Sequence, residues 1–569
     1  MFQPLLDEVT REVSGERALE SVNALAGFHR VQASPGYRQA AEWLAGQLES
    51  AGLPTEIERV AGDGRSRFGG WLMPEGWECT RGIAWLHGRA GREPLCDYQA
   101  EKLSIVLRSA PARGRYPLVA LDDEAGVARH PEPRTSGALV LSQGAPHDLH
   151  TRQVLERGAA GLVCDGRRLF PPVRDRGHDP DSLAYTSFWW DEATPRGFGL
   201  VVSPGRGAAL RRRLAEGERL EVELEIESRF FTEEIPLLST TLPGSGAEEV
   251  LVVSHLCHPQ PSANDNASGA SAALEAARAL HAVRARGALP AMARTVRFLW
   301  MPEFTGTAAW LGADRARAGR VVAALNLDMV GEDQRQTGST FLIEEPPSFL
   351  ASFAEELVDA IRGFALEWVT SYSGPGHFSL DRIARVPFGG GSDHALLMDP
   401  ASGAVPCPML IQWPDRFYHS SYDTPDRCDP GSLALAARVA ATYAAFLAGA
   451  GEEAAGALAG RTERALRRRV LAALDGEDPA RIVARERLRA ERALRSLTRL
   501  GLAPESAEQR VRSFAEFCGR ELPKSALHAK APRTGRRNSR VPRRHLDLPL
   551  PYPRHLAPGW PALPAAERQ

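Results

Sequence analysis

Residues 249–286 read EVLVVSHLCHPQPSANDNASGASAALEAARALHAVRAR, and this stretch decides the fold. Positions 249–255 form a short, almost continuous apolar run that ends in a histidine, the pattern of a strand covered on both faces. Positions 267–286 are an Ala-rich amphipathic helix, and the Pro- and Asn-rich loop between the two turns the chain back. Outward from this unit the rhythm repeats. TVRFLWMPE (295–303) and VVAALNLDMV (321–330) are buried-type strands, PMLIQW (408–413) is a late strand, and SLALAARVAATYAAFLAGA (432–450) is a closing helix. The alternation predicts an α/β fold with a mixed, mostly parallel sheet and helices on both faces.

Upstream, residues 16–53 give two helical patterns split by the breaker Ser34-Pro35-Gly36, the second stopping at Gly52. From about 100 to 230 come short apolar runs punctuated by Gly and Pro, among them YPLVALDD (116–123), SGALVLSQG (136–144) and LEVELEIES (220–228). They predict a β-rich insert. Within it, 151–157 is helix-like and leads into a strand at 158–163. Residues 455–520 are helical and rich in Arg and Glu, a charge run expected on solvated helix faces. The predicted organisation is 1–100 as the N-terminal part of a catalytic domain, 101–230 as the insert and 231–450 as the catalytic domain. A helical C-terminal segment follows at 451–529, then a Pro- and Arg-rich tail at 530–569 expected to be disordered.

Composition narrows the function classes. Lys+Arg 69 against Asp+Glu 71 gives a net charge of −2, which leaves no overall positive field for nucleic acid or an anionic membrane. The first residues carry no basic leader and apolar core, and no stretch of about 18 uncharged apolar residues appears. A cytoplasmic protein without nucleic-acid or membrane partners is expected, with a homo-oligomer left open. Cysteines at 79, 96, 164, 257, 407, 428 and 518 are odd in number and never spaced as CxxC, which argues against a disulfide framework or a zinc-thiolate cluster.

Polar residues fall where the strands end, and ligand sites of open α/β sheets lie at the carboxyl ends of strands. The candidates are His255, Asp265 in the Asn-flanked loop, Glu303, Asp328 and, late in the chain, His419. A lone strand-end histidine is more often a hydrogen-bonding residue, and a lone loop aspartate a turn or helix cap. Glu303 and Asp328 in apolar surroundings are harder to dismiss, because an unpaired buried charge costs several kcal/mol. Together, two histidines, two aspartates and a glutamate form the donor set of a hydrolytic zinc site. Glu303, partly desolvated, suits a general base, and Tyr418 beside His419 can donate to an oxyanion. Cys257 is expected to be a buried spectator, and Met301 and Met329 core fillers.

In order along the chain, SHLCHP, ANDNASG, LNLDMVG and YHSSYDT resemble the motifs of the co-catalytic zinc aminopeptidases of the bacterial leucyl aminopeptidase and aminopeptidase Y type. The resemblance covers roughly residues 230–450 and implies one or two Zn2+ per chain. It implies metal ligands His255, Asp265 (bridging), Asp328 and His419, base Glu303, oxyanion donor Tyr418, and a peptide or small amide as substrate. The insert is similar to a protease-associated domain. One position departs: the family usually has adjacent glutamates, base then ligand, where this chain reads Pro302-Glu303-Phe304. A replacement ligand can come from His258, Asp393 or His394; otherwise Glu303 itself ligates, or one zinc alone binds tightly. HLCHP, PEFTG, GGGSDH and WPDRFYHSSYDTP look more like a bacterial aminopeptidase-like branch. The expected function is zinc-dependent cleavage of a peptide or related amide at an N-terminal residue. The alternatives are a mononuclear zinc amidase or cyclase in a biosynthetic pathway, and a catalytically retired peptidase-like binding module.

Overall fold

A computed structural model of the chain describes residues 2–124, 126–128, 133–190, 195–474 and 479–521, so the stretch 530–569 lies outside the described residues. The central sheet has eight strands: β1 (Glu56–Gly62), β2 (Glu233–Leu242), β3 (Glu249–His255), β4 (Thr295–Met301), β5 (Val321–Leu327), β6 (Thr340–Glu344), β7 (Ile383–Val386) and β8 (Met409–Trp413). Their order across the sheet is β1-β2-β4-β3-β5-β8-β6-β7. β4, β3, β5 and β8 run parallel, with His255 level with Met301 and Val253 level with Asn326; β1, β2 and β6 pair antiparallel with their neighbours on the β8 side or the β4 side. Every residue of β5 is buried, so both faces of the sheet are covered, as its unbroken apolar run requires.

Helices Gly269–Ala285 and Pro430–Gly449 pack across β3 and β4, and Pro35–Ser50 packs on β2. The breaker at 34–36 works as an N-cap: Ser34 Oγ accepts from Tyr37 N at 3.2 Å, with Pro35 in the first turn. Pro430–Gly449 is long and apolar enough to cross a membrane by composition, yet it is the buried central helix of the core.

A second sheet of seven strands forms the insert, in the order Gly91–Asp97, Gly76–Gly88, Glu221–Phe231, Ala112–Ala120, Leu139–Ser142, Gly161–Cys164, Gly199–Val201. It opens at Gly76, inside the 1–100 segment of the sequence reading, because Gly76–Gly88 pairs along its length with Glu221–Phe231. The insert has its own apolar core, whereas the C-terminal helices Glu452–Ala473, Pro479–Ser496 and Pro504–Glu521 share the core of the central sheet. Part of their charge run turns inward rather than to solvent. Arg469 and Arg489 meet the buried Glu345 at 2.8 and 2.7 Å.

Candidate functional site

The parallel strands bring their polar ends to one edge of the sheet. His255 closes β3, Glu303 follows β4, Asp328 directly follows β5, and His419 lies in the loop after β8. Asp265 sits in the wholly buried turn Ala263–Ser268 that enters helix Gly269–Ala285.

The residues around Asp265 explain why that turn folds as it does. Asn266 Nδ2 donates to Ser254 Oγ (3.0 Å) and Leu327 O (3.0 Å), while its Oδ1 accepts from Gly269 N (2.9 Å) and Met329 N (3.0 Å). One side chain thus ties the ends of β3 and β5 to the helix start. Asp423 accepts the backbone N–H groups of Asn264 (2.7 Å) and Asp265 (3.1 Å), and Asn264 Oδ1 accepts from Gly331 N (3.2 Å). A Cβ at Gly269 would stand 2.3 Å from Asn266 Oδ1 and 2.4 Å from Leu327 O, so glycine is required for this close approach. The buried Arg30 supports the same loop, donating to Leu256 O (2.9 Å) and Ser262 O (2.8 Å).

With its backbone satisfied, the Asp265 carboxylate is left for the histidines. His255 Nε2 lies 3.4 Å from Asp265 Oδ1 and 3.4 Å from Asp328 Oδ1. His258 Nε2 and His419 Nε2 lie 3.5 and 2.9 Å from Asp265 Oδ2. Two triads result, His255–Asp265–Asp328 and His258–Asp265–His419, each with its donor atoms within 4.8 Å of one another and both sharing Asp265. His258, one of three candidates for the missing ligand, joins the cluster. The other two stand outside both triads and are held through one atom each, with Asp393 Oδ2 and His394 Nδ1 buried without a hydrogen-bond partner. Asp393 accepts from Phe304 N (2.7 Å) and Thr307 Oγ1 (2.6 Å), and His394 Nε2 pairs with Glu344 at 2.7 Å. The Phe304 ring stacks on Trp71 at 5.4 Å.

Cys257 is more than a spectator. Its carbonyl oxygen lies 3.3 Å from His255 Nδ1 and 2.8 Å from His258 Nδ1, and a carbonyl can only accept, so both Nδ1 atoms carry protons and both Nε2 atoms face the carboxylates. Its Sγ accepts from Glu303 N at 3.2 Å. Left-handed backbones gather here: His258, Ser262, Phe304, Met329 and His419 have φ between +41° and +138°. Non-glycine residues hold such angles at a cost of about 1–3 kcal/mol each, and they concentrate at functional sites.

Charge in the cluster is divided. Burial pushes the Asp265 carboxyl up, but His258, His255 and His419 outweigh it and hold it well below the usual range. Burial pulls His258 down to about 3 and keeps it neutral, as a metal ligand must be. His255 is raised well above its ordinary value because Asp328, Glu303 and Asp265 overcome its burial. Burial raises the half-buried Glu303 well above the carboxylate range against the pull of His255, with Asp328, Asp393 and Asp265 adding to it. Burial likewise raises the Tyr418 hydroxyl, which therefore stays a donor. The donor set fits zinc: imidazole nitrogens and carboxylate oxygens converge, and Asp328 Oδ1 is buried without a hydrogen-bond partner.

One residue that the sequence reading missed comes from the insert. The Tyr185 ring lies 4.6 Å from that of His419 and 5.2 Å from that of His258. Nothing local in 183–187 signals this, since the contacts reach residues 73 and 234 positions further along the chain.

The profile of Peptidase family M28 matches residues 238–444, and that of the domain of unknown function DUF4910 matches residues 31–340, more than half of the chain. No curated protein matches in sequence. Among solved structures, the chain is similar to a peptidase M28 precursor from Shewanella amazonensis SB2B, with a TM-score of 0.56 at 16% identity over 79% of this chain and 96% of that one. A putative peptidase from Clostridium acetobutylicum gives 0.53 at 15% identity over 78% and 83%. BSAP, a zinc aminopeptidase from Bacillus subtilis, gives 0.52 at 16% over 76% and 94%. At such identities these likenesses speak for the fold, and the profile matches speak for the lineage. The chain belongs to the family of the DUF4910 domain, and its residues 238–444 carry the domain of peptidase family M28, that of a zinc-aminopeptidase-like metallopeptidase.

Proposed function

We propose that this metallopeptidase removes an N-terminal residue from a small peptide or related amide, with Glu303 as general base and Tyr418 as oxyanion donor. The observation that carries the proposal is the pair of donor triads sharing Asp265 beside a half-buried glutamate. His255, Asp265, Asp328 and His419 would hold zinc, with His258 in the place the family gives to a glutamate. Zinc bound there would supply Lewis-acid polarisation and a nucleophile available at neutral pH.

The chain's own groups do the rest. Glu303, its affinity for a proton raised by burial, takes a proton from the attacking water at its carboxylate and returns it to the leaving amine. Tyr418, stacked on His419 at 3.8 Å, keeps its hydroxyl directed by a rigid ring and donates to oxygen as charge develops on it. Cleavage at a chain end is supported by the fold shared with a zinc aminopeptidase and by the insert, which packs over the His419 loop. The alternative of a single-zinc amide enzyme rests on Phe304, and the position of His258 in the second triad weighs against it.

Glu303→Gln tests the base. Turnover of aminoacyl chromogenic amides is expected to fall by about 10²–10⁴-fold, the range for removing a general base, with zinc content unchanged. Near-normal turnover with zinc in place would sink the assigned role.

A further inference from the structure

The insert is built onto the catalytic loop. Tyr185 N donates to His419 O at 2.8 Å, Ser421 N donates to Leu183 O at 2.9 Å, and Leu183 N donates to Ser421 Oγ at 3.0 Å. The buried Arg174 donates to the carbonyls of Arg416 (3.1 Å) and Tyr418 (2.7 Å), and Arg416 forks onto Asp179 at 2.8 Å through each arm. Phe170 packs against Trp413 at 4.7 Å. Contacts of this number and kind fix a segment rather than merely cover a surface.

Their effect is to place two phenols against one imidazole. Tyr418 stacks on His419 at 3.8 Å, and Tyr185 approaches the same ring at 4.6 Å while also touching His258 at 5.2 Å. Among the described residues neither hydroxyl has a hydrogen-bond partner, and both lie within electrostatic reach of Asp265 and Glu303. Both side chains are half-buried, so their hydroxyls are open to an acceptor brought by a ligand. A substrate amine would be drawn to the carboxylates, which leaves an oxygen as the natural partner of the two O–H groups.

We infer that Tyr185 is a substrate-contacting residue of the site, its hydroxyl donating alongside Tyr418 to the oxygen of the scissile carbonyl. The insert then completes the active site, and the inference rests on the peptidase function proposed above. Tyr185→Phe keeps the ring against His258 and His419 and removes only the O–H group.

The experiment compares full-length wild type, Tyr185→Phe and Glu303→Gln. It measures zinc content, kcat and KM on aminoacyl chromogenic amides, and the affinity of an aminoalkylphosphonate that mimics the tetrahedral oxyanion. For Tyr185→Phe the expectation is unchanged zinc, kcat lower by about 10²-fold with KM within about threefold, and phosphonate bound at least ~10-fold more weakly. Turnover and phosphonate affinity close to wild type would overturn the inference while Glu303→Gln still fails. A change confined to KM would overturn the carbonyl contact, and loss of zinc would make Tyr185 a packing residue instead. A zinc-loaded wild type that neither cleaves the amides nor binds the phosphonate would overturn the peptidase proposal, and this inference with it.

Discussion

His255 and His258 share one carbonyl acceptor yet carry different charge. Burial lowers both, but the carboxylates of Asp328, Glu303 and Asp265 win at His255, whereas burial wins at His258, at about 3. A histidine that holds its proton more tightly must lose it before Nε2 can bind a cation; one lowered far below the ordinary value loses none. Zinc binding is therefore expected to release a proton through His255 and to weaken as pH falls below that raised value. Titration calorimetry in buffers of different ionisation heat reads this directly, and pH-independent binding without proton release would contradict it. His255, Asp265, Glu303, Asp328 and His419 stood out in the sequence as a set rather than one by one, because a lone strand-end histidine or loop aspartate has ordinary structural uses. Tyr185 and Arg30 did not, because Tyr185 meets His419, and Arg30 meets Leu256 and Ser262, across more than 200 residues of sequence.

β3, β4, β5 and β8 of the central sheet could be read from their apolar runs, whereas the edge strands β1 and β7 are largely exposed or half-buried and carry no such run. Gly76–Gly88 was not legible, since its glycines and charges hide an alternation that becomes clear only beside Glu221–Phe231. The charge run of the C-terminal helices faces solvent for the most part, as expected, but the part that turns inward was not legible, because its carboxylate partner belongs to another element. Arg385 on β7, Arg469 and Arg489 converge on Glu345 at 2.6, 2.8 and 2.7 Å, with the Glu345 side chain 5% exposed. Burial would raise this carboxyl, but Arg469, Arg385 and Arg489 bring it down to about 2. Its stabilising contribution is thus present above the ordinary carboxylate range and lost as pH falls toward 2. Glu345→Gln leaves the guanidinium groups without their shared acceptor and is expected to cost roughly 3 kcal/mol in denaturant unfolding at pH 7. A loss under ~1 kcal/mol would mean that the helices dock by apolar packing alone.

At the scale of the whole molecule, two sheets with separate cores meet at the His419 loop, where Ala184 of the insert bridges to Ser420. The central sheet supplies the metal-ligand candidates and the insert supplies a wall beside them. His258, the ligand proposed in place of the glutamate absent at Phe304, reaches the Asp265 carboxylate from the other side of Cys257. The most direct test is zinc per chain, measured by elemental analysis of the full-length protein after mild dialysis, alongside turnover of an aminoacyl amide panel. About two zincs with turnover is the predicted result; a folded chain that retains none, or retains two without cleaving any amide, would contradict it.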